Sequence, residues 1–171
     1  AALTGHLVVS TLHTNDAATT FPRLMEMNVE PFLVASSVNI VIALRLIRKI
    51  CEHCKESYIP STQEIELLQL DETVLGFIAE ISGTIDISKL RLYRGTGCKV
   101  CRNSGFSERV GIFEVLEVTE DIRLLITKKS SANVINDLAI GNGMTSLLYD
   151  GLIKALNGTS TLEEVMKVAR S

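Results

Sequence analysis

Tryptophan is absent from this chain, and tyrosine and phenylalanine are few, at 3 and 5. That scarcity leaves little material for an aromatic surface on which nucleic-acid bases stack. Basic residues are not in excess: 17 Lys and Arg stand against 20 Asp and Glu, a net charge of −3. Bulk electrostatics therefore give no reason to expect a nucleic-acid partner. No apolar run is long enough to span a bilayer, since the longest, Phe32 to Leu44, is interrupted by Ser36, Ser37 and Asn39. The chain opens Ala1-Ala2-Leu3-Thr4-Gly5, with neither an initiator Met nor the basic start of a signal peptide. It looks like a cut made inside a longer protein, and a cytoplasmic fragment is expected.

What is present is an apolar fraction of 46% in 171 residues, enough for one domain of ordinary size and a small appendage. The four cysteines form two Cys-x-x-Cys pairs, Cys51/Cys54 and Cys98/Cys101. A tight turn of this spacing presents two thiolates to one ion, and two turns complete a tetrahedral shell of four sulfurs. Soft thiolates in that geometry favour zinc, with an iron–sulfur centre next. The alternatives are a pair of disulfides or one redox pair. A redox pair needs only one Cys-x-x-Cys, and nothing in the sequence indicates an oxidising compartment. The site is expected to be structural, with chelation melting the stretch from Cys51 to Cys101 and sparing much of the helical C-terminus. His53, inside the first turn, is expected to be exposed and outside the ligand set.

Along the chain, Gly5 to Leu12 is a β-branched run without alternation, which predicts a strand buried on both faces of a parallel sheet. Thr14 or Asn15 can cap the helix that follows. Pro22 either kinks that helix or marks its first turn. Glu30-Pro31 opens a second helix expected to run through Arg45, Arg48 and Lys49. Ser61-x-x-Glu64 reads as a capping box, and Gly76, Gly83 and Gly95 suggest a loop-rich stretch. Arg109 to Val118 alternates like a strand with one wet face. Helices are predicted from Thr119, around Ala132 to Ala139, from Ser146 to Leu156, and after the Thr161-x-x-Glu164 cap.

Thr4-Gly5-His6-Leu7-Val8-Val9-Ser10-Thr11-Leu12-His13-Thr14-Asn15-Asp16-Ala17 resembles the histidine box of secretion ATPases, the hexameric motors of type II secretion and type IV pilus assembly. The resemblance continues through Glu30 to Ser37, Arg45-Leu46-Ile47-Arg48, Gly97-Cys98-x-x-Cys101 and Gly111-Ile112-Phe113-Glu114. It ends with Gly143-Met144-x-x-Leu147-x-x-Asp150-Gly151. It departs from the usual pattern at Leu44, where a Gln is common, at Glu52, where Pro is common, and at Glu108, where Gly usually precedes the Arg. No Gly-x-x-x-x-Gly-Lys-[Ser/Thr] phosphate loop occurs in the chain. Family members carry that loop upstream of the histidine box, so this fragment is not expected to hydrolyse ATP alone.

The resemblance implies an α/β fold: the C-terminal part of a RecA-like P-loop ATPase domain, with a small zinc-binding insertion and a helical C-terminal subdomain. Residues 1–50 would belong to the ATPase core, 51–105 to the zinc-binding part and 106–171 to the strand and helical tail. His13, at the end of the predicted strand, would meet the γ-phosphate of ATP, with His6 supporting it; the plain alternative is a pair of satisfied core histidines. Thr11, Thr14 and Asn15 would donate nearby hydrogen bonds or merely end the strand and cap the helix. Arg45 and Arg48, three apart and so on one helix face, would meet phosphate or a neighbouring subunit. Alternatively Arg48, with Lys49, Lys55, Lys99 and Arg102, would balance the charge of a zinc–tetrathiolate centre. Cys51, Cys54, Cys98 and Cys101 would hold structural zinc, while ATP and Mg belong to the whole protein. The implied partners are five further copies in a homo-hexamer and an inner-membrane platform protein, with membrane contact only through partners and no nucleic acid. The rival reading is a stand-alone zinc-ribbon module for protein interactions.

Overall fold

A computed structural model describes residues 2–84 and 86–169. The chain is mixed α/β, as expected, and divides into two compact units.

The first unit comprises Ala1–Leu44 and Phe113–Ser146. Its helices are α1 (Thr20–Glu26), α2 (Pro31–Ser37), α5 (Glu120–Thr127) and α6 (Ala132–Gly141). Pro22 sits at the third position of α1, within the first turn, where its missing N–H costs no intrahelical bond. Pro31 occupies the start of α2 for the same reason. Phe21, Val34, Leu116, Ile122, Ile126 and Ile135 form the core. The Arg123 guanidinium donates to the Ala35 carbonyl and, at 3.2 Å, to Asn39 Oδ1, which ties α5 to the end of α2.

The second unit comprises Arg45–Ile112 and Leu147–Ser171. It holds β2 (Lys55–Tyr58), α3 (Thr62–Leu67), α4 (Glu72–Ser82), β3 (Leu92–Gly95), α7 (Leu147–Leu156) and α8 (Leu162–Ala169). Ile47, Val74, Ile78, Ile112, Leu152 and Val165 are at the centre of its core. Ser61 and Glu64 form the anticipated capping box at α3. Helix α7 meets α8 at Gly151, where an added Cβ would lie 2.6 Å from Val165 Cγ1. Two long strands, β1 (Ile40–Ile50) and β4 (Phe106–Glu117), pair with each other and contribute residues to both units.

Three expectations need correction. Gly5 to Leu12 forms no strand and is exposed up to Thr11, with Leu7 at 94% and Val9 at 86%. A strand buried on both faces requires neighbours on both edges and helices over both faces, and the described residues bring none to this run. The helix from Pro31 ends at Ser37, and β1 replaces its predicted continuation. The reason lies in Ile40-Val-Ile-Ala-Leu-Arg-Leu-Ile47, a β-branched, apolar stretch whose exposure alternates with period two. Arg45 and Arg48 therefore point to opposite faces of a strand. Lastly, the stretch containing Gly76 is not loop. Gly76 lies inside α4, whose apolar positions outweigh one glycine, and the helix stops at Gly83 with φ +73.

Candidate metal centre and histidine segment

Strand β2 leaves the first cysteine turn and β3 enters the second. Their antiparallel register pairs Lys55 with Gly95 and Tyr58 with Leu92. Thr96 N–H donates to the Cys54 carbonyl at 3.0 Å, which carries the pairing to the foot of both turns. Cys51 N–H donates to the Gly105 carbonyl at 3.0 Å and closes the assembly from the other side. Gly95 and Gly105 are in backbone contact there: a Cβ on Gly95 would lie 2.0 Å from Gly105 O. Gly105 also has φ +76, a conformation that strongly favours glycine.

These constraints gather the four sulfurs. Cys51 and Cys98 Sγ are 3.9 Å apart, Cys54 and Cys101 are 3.8 Å apart, and Cys98 and Cys101 are 3.7 Å apart. All four lie within 4.8 Å of one another and none is in a disulfide. A tetrahedral ion with metal–sulfur bonds of ~2.3 Å would set its ligands ~3.8 Å apart, so the cluster fits a four-coordinate thiophilic metal. Two backbone N–H groups aim at Cys101 Sγ, from Cys98 at 3.2 Å and Gly105 at 3.3 Å. Such donors favour the thiolate that a metal requires. Burial pushes the Cys54 thiol up to about 12, against the Gly97 N–H, with the neighbouring thiols adding to the rise. Burial acts upward on Cys101 too, but the Cys98 and Gly105 N–H groups and the thiols of Cys98 and Cys54 bring it down to about 6. His53 is exposed and outside the cluster.

Three of the cations nearby in sequence, Arg48, Lys49 and Lys55, have other partners. Arg48 pairs with Glu164 at 2.5 Å and its guanidinium lies 4.1 Å from the Phe106 ring centroid. Lys49 approaches Glu52 at 3.5 Å, and Lys55 lies over Tyr93. Arg48 also lines an open depression of about 540 Å³ with Ser104, Phe106, Glu108 and Arg109. Arg45 is half-buried on the opposite face of β1.

In the first unit, His6 and His13 are both exposed. Thr4 Oγ1 lies 3.1 Å from His6 Nδ1. Thr11 and Asn15 are exposed and Thr14 is half-buried, its hydroxyl 3.2 Å from that of Thr20. The side chain that turns the chain toward α1 is Asp16, which accepts from Thr19 N–H at 2.8 Å.

Two acidic residues escaped the sequence reading. The sequence places Glu164 in a helix cap but does not show its pairing with Arg48. Its N–H does donate to the Thr161 hydroxyl at 3.3 Å, but its carboxylate turns to Arg48. Glu114 is buried in β4 and accepts from Ala17 N–H at 2.8 Å. The signal for it was present: period two puts position 114 in phase with Ile112 and Leu116.

The family model described as "Type II/IV secretion system protein" matches residues 1–167. The chain is 46% identical over 166 residues to the type IV pilus assembly ATPase PilB of Thermus thermophilus, covering 97% of this chain and 17% of that protein. It is 41% identical to PilB of Pseudomonas aeruginosa, covering 99% of this chain and 28% of the relative. Against the type II secretion system ATPase E of Vibrio cholerae it is 38% identical, with coverages of 99% and 31%. The chain thus spans less than a third of each of these relatives. No helix among the described residues is long and apolar enough to cross a membrane.

Proposed function

Because this chain belongs to the type II/IV secretion system protein family, we propose that it is the C-terminal portion of a hexameric ATPase that drives pilus or pseudopilus assembly. The observation that carries the reading is identity of 38–46% along nearly the whole chain with proteins named as pilus-assembly and type II secretion ATPases. In the whole protein, ATP and Mg would be held by a phosphate loop upstream of the histidine segment. His13 would donate a hydrogen bond to the γ-phosphate or its attacking water, with His6, Thr11, Thr14 and Asn15 supporting that end. Arg45 would act at a subunit contact, whereas Arg48 is better understood as the partner of Glu164.

Zinc is the metal we assign to Cys51, Cys54, Cys98 and Cys101, where it would cross-link the two turns and take no part in hydrolysis. Functionally, residues 1–50 would serve the ATPase core, 51–105 the metal-braced insertion and 106–171 the strand and helical tail. Work would pass to an inner-membrane platform protein, so the motor would lie on the cytoplasmic side and meet the membrane through that partner. In the whole protein, His13→Ala should lower ATP turnover while sparing nucleotide binding. Normal turnover would remove the role given to His13.

A further inference from the structure

Glu114 lies on the inward phase of β4, between Ile112 and Leu116, both fully buried, and is itself only 4% exposed. A carboxylate withdrawn from water to this degree is costly unless hydrogen bonds replace its hydration. Its Oε1 accepts a 2.8 Å hydrogen bond from the backbone N–H of Ala17, 97 residues earlier. Among the described residues, Ala17 is the first buried one after the largely exposed run that carries His6 and His13.

At this point the chain begins to turn into α1. Thr20 N–H donates to the Ala17 carbonyl and Phe21 N–H to the Ala18 carbonyl, each at 3.3 Å. Asp16 closes its turn on Thr19, and Thr14 reaches back to Thr20. Ala18, Thr20 and Phe21 are buried behind it. A single carboxylate on β4 therefore holds the junction between a core-packed helix start and an exposed segment whose next histidine is four residues away.

We propose that Glu114 is the positioning residue of the histidine segment: by fixing the Ala17 amide it sets where His13 is presented to a nucleotide phosphate in the whole protein. This rests on the role given to His13 above. The physical basis is that a buried N–H demands a partner, and a short tether transmits a shift of its anchor to the side chain it carries. Displacement of a reacting group by about 1 Å can cost on the order of 100-fold in rate.

Three substitutions at position 114 separate positioning from packing. Glu114→Gln keeps an acceptor oxygen at the same reach. Glu114→Asp withdraws the acceptor by one methylene, and Glu114→Met fills the volume without one. In the whole protein, Gln should keep kcat within about threefold of the parent. Asp and Met should lower kcat by roughly 10- to 100-fold, with KM for ATP within about twofold. In the 171-residue chain, the Ala17 amide should exchange at least tenfold faster in the Asp and Met variants than in the parent or Gln variant. Amides of α5 and α6 should be unchanged, and either of the two variants suffices if the other fails to fold. A folded Asp or Met variant with a fast-exchanging Ala17 amide and parental turnover would overturn the proposal. So would a Gln variant as slow as Asp with its Ala17 amide still protected. If His13→Ala instead turns over normally, it is the histidine reading that fails, while the exchange experiment still reports on the anchor.

Discussion

The Arg48 guanidinium donates to Glu164 Oε1 at 2.5 Å while the Arg48 backbone N–H donates to Oε2 of the same carboxylate at 3.3 Å. One buried acid thus clamps both the side chain and the main chain of β1 just before the first cysteine turn. Ser160 completes the joint by donating to the Arg48 carbonyl at 2.7 Å, and Ile50 N–H donates to Thr159 O at 2.9 Å. The start of α8 is fastened to the strand that delivers Cys51.

Replacing Glu164 with Gln should cost the second unit about 1–2 kcal/mol. Hydrogen bonds to charged groups contribute about 1.5–3 kcal/mol, discounted here because Arg48 is half exposed. Arg48 holds the Glu164 carboxyl below the usual glutamate range, chiefly through its side-chain hydrogen bond and against the effect of burial. A lowered folded-state pKa means the stabilisation is fully present above the unfolded value of about 4.3 and fades as pH falls through the folded one. Urea unfolding of parent and variant should therefore differ at pH 7 and converge in acid. A gap that persisted unchanged at the acid end would rule out an ionic origin.

Metal removal should reach farther than the cysteine sequence implies. Thiolate zinc contributes on the order of 10–16 kcal/mol in small modules, and the turn after α7 packs directly on the β2–β3 hairpin between the two cysteine turns. A Cβ on Gly158 would lie 2.7 Å from Tyr93 Cγ and 2.8 Å from Lys55 Cε. Chelation is expected to release amide protection in β2, β3, α7 and α8, while α5 and α6, which belong to the other unit, keep theirs. The sequence alone suggested that much of the helical C-terminus would survive. Retention of α7 and α8 protection after the metal is stripped would show that their packing does not depend on the centre.

Gly105→Ala should prevent formation of the centre rather than merely weaken it. The residue is held at φ +76, and an added Cβ would lie 2.4 Å from the Gly95 carbonyl oxygen. Backbone cannot retreat there without parting Cys51 N–H from Gly105 O. Metal analysis of the purified variant should give well under one ion per chain. Full occupancy would mean that the two turns can close without this contact.

Much of this site was legible because cysteine spacing is local information. The capping box at Ser61, the strand at 109–118 and the helices beginning near 119, 132 and 147 were likewise set by short-range patterns. The misreadings involved context. Gly5 to Leu12 has the composition of a buried strand, yet pairing depends on partners that composition does not supply. Arg45 and Arg48 looked like one helix face because Pro31 did start a helix, and nothing but the β-branched content after Asn39 marked its end. Glu164 and Glu114 were overlooked for a different reason: both contacts join residues about a hundred positions apart, 48 to 164 and 17 to 114.

Glu108 shows a sequence departure acquiring a structural meaning. Glu108 stands where the resemblance implies a glycine before Arg109, and its φ is +65. Left-handed backbone costs a residue with a Cβ roughly 1–2 kcal/mol, and glycine would avoid that cost at the expense of about 0.4–1 kcal/mol of extra unfolded-chain entropy. The side chain is exposed, so little packing is at stake. Glu108→Gly should therefore stabilise the second unit by a few tenths to about 1 kcal/mol. The reading is a higher urea midpoint with an unchanged slope. Glu108→Val, which adds a branched Cβ to the same strained backbone, should lower the midpoint. If glycine lowered it instead, the left-handed conformation assigned to position 108 would be wrong.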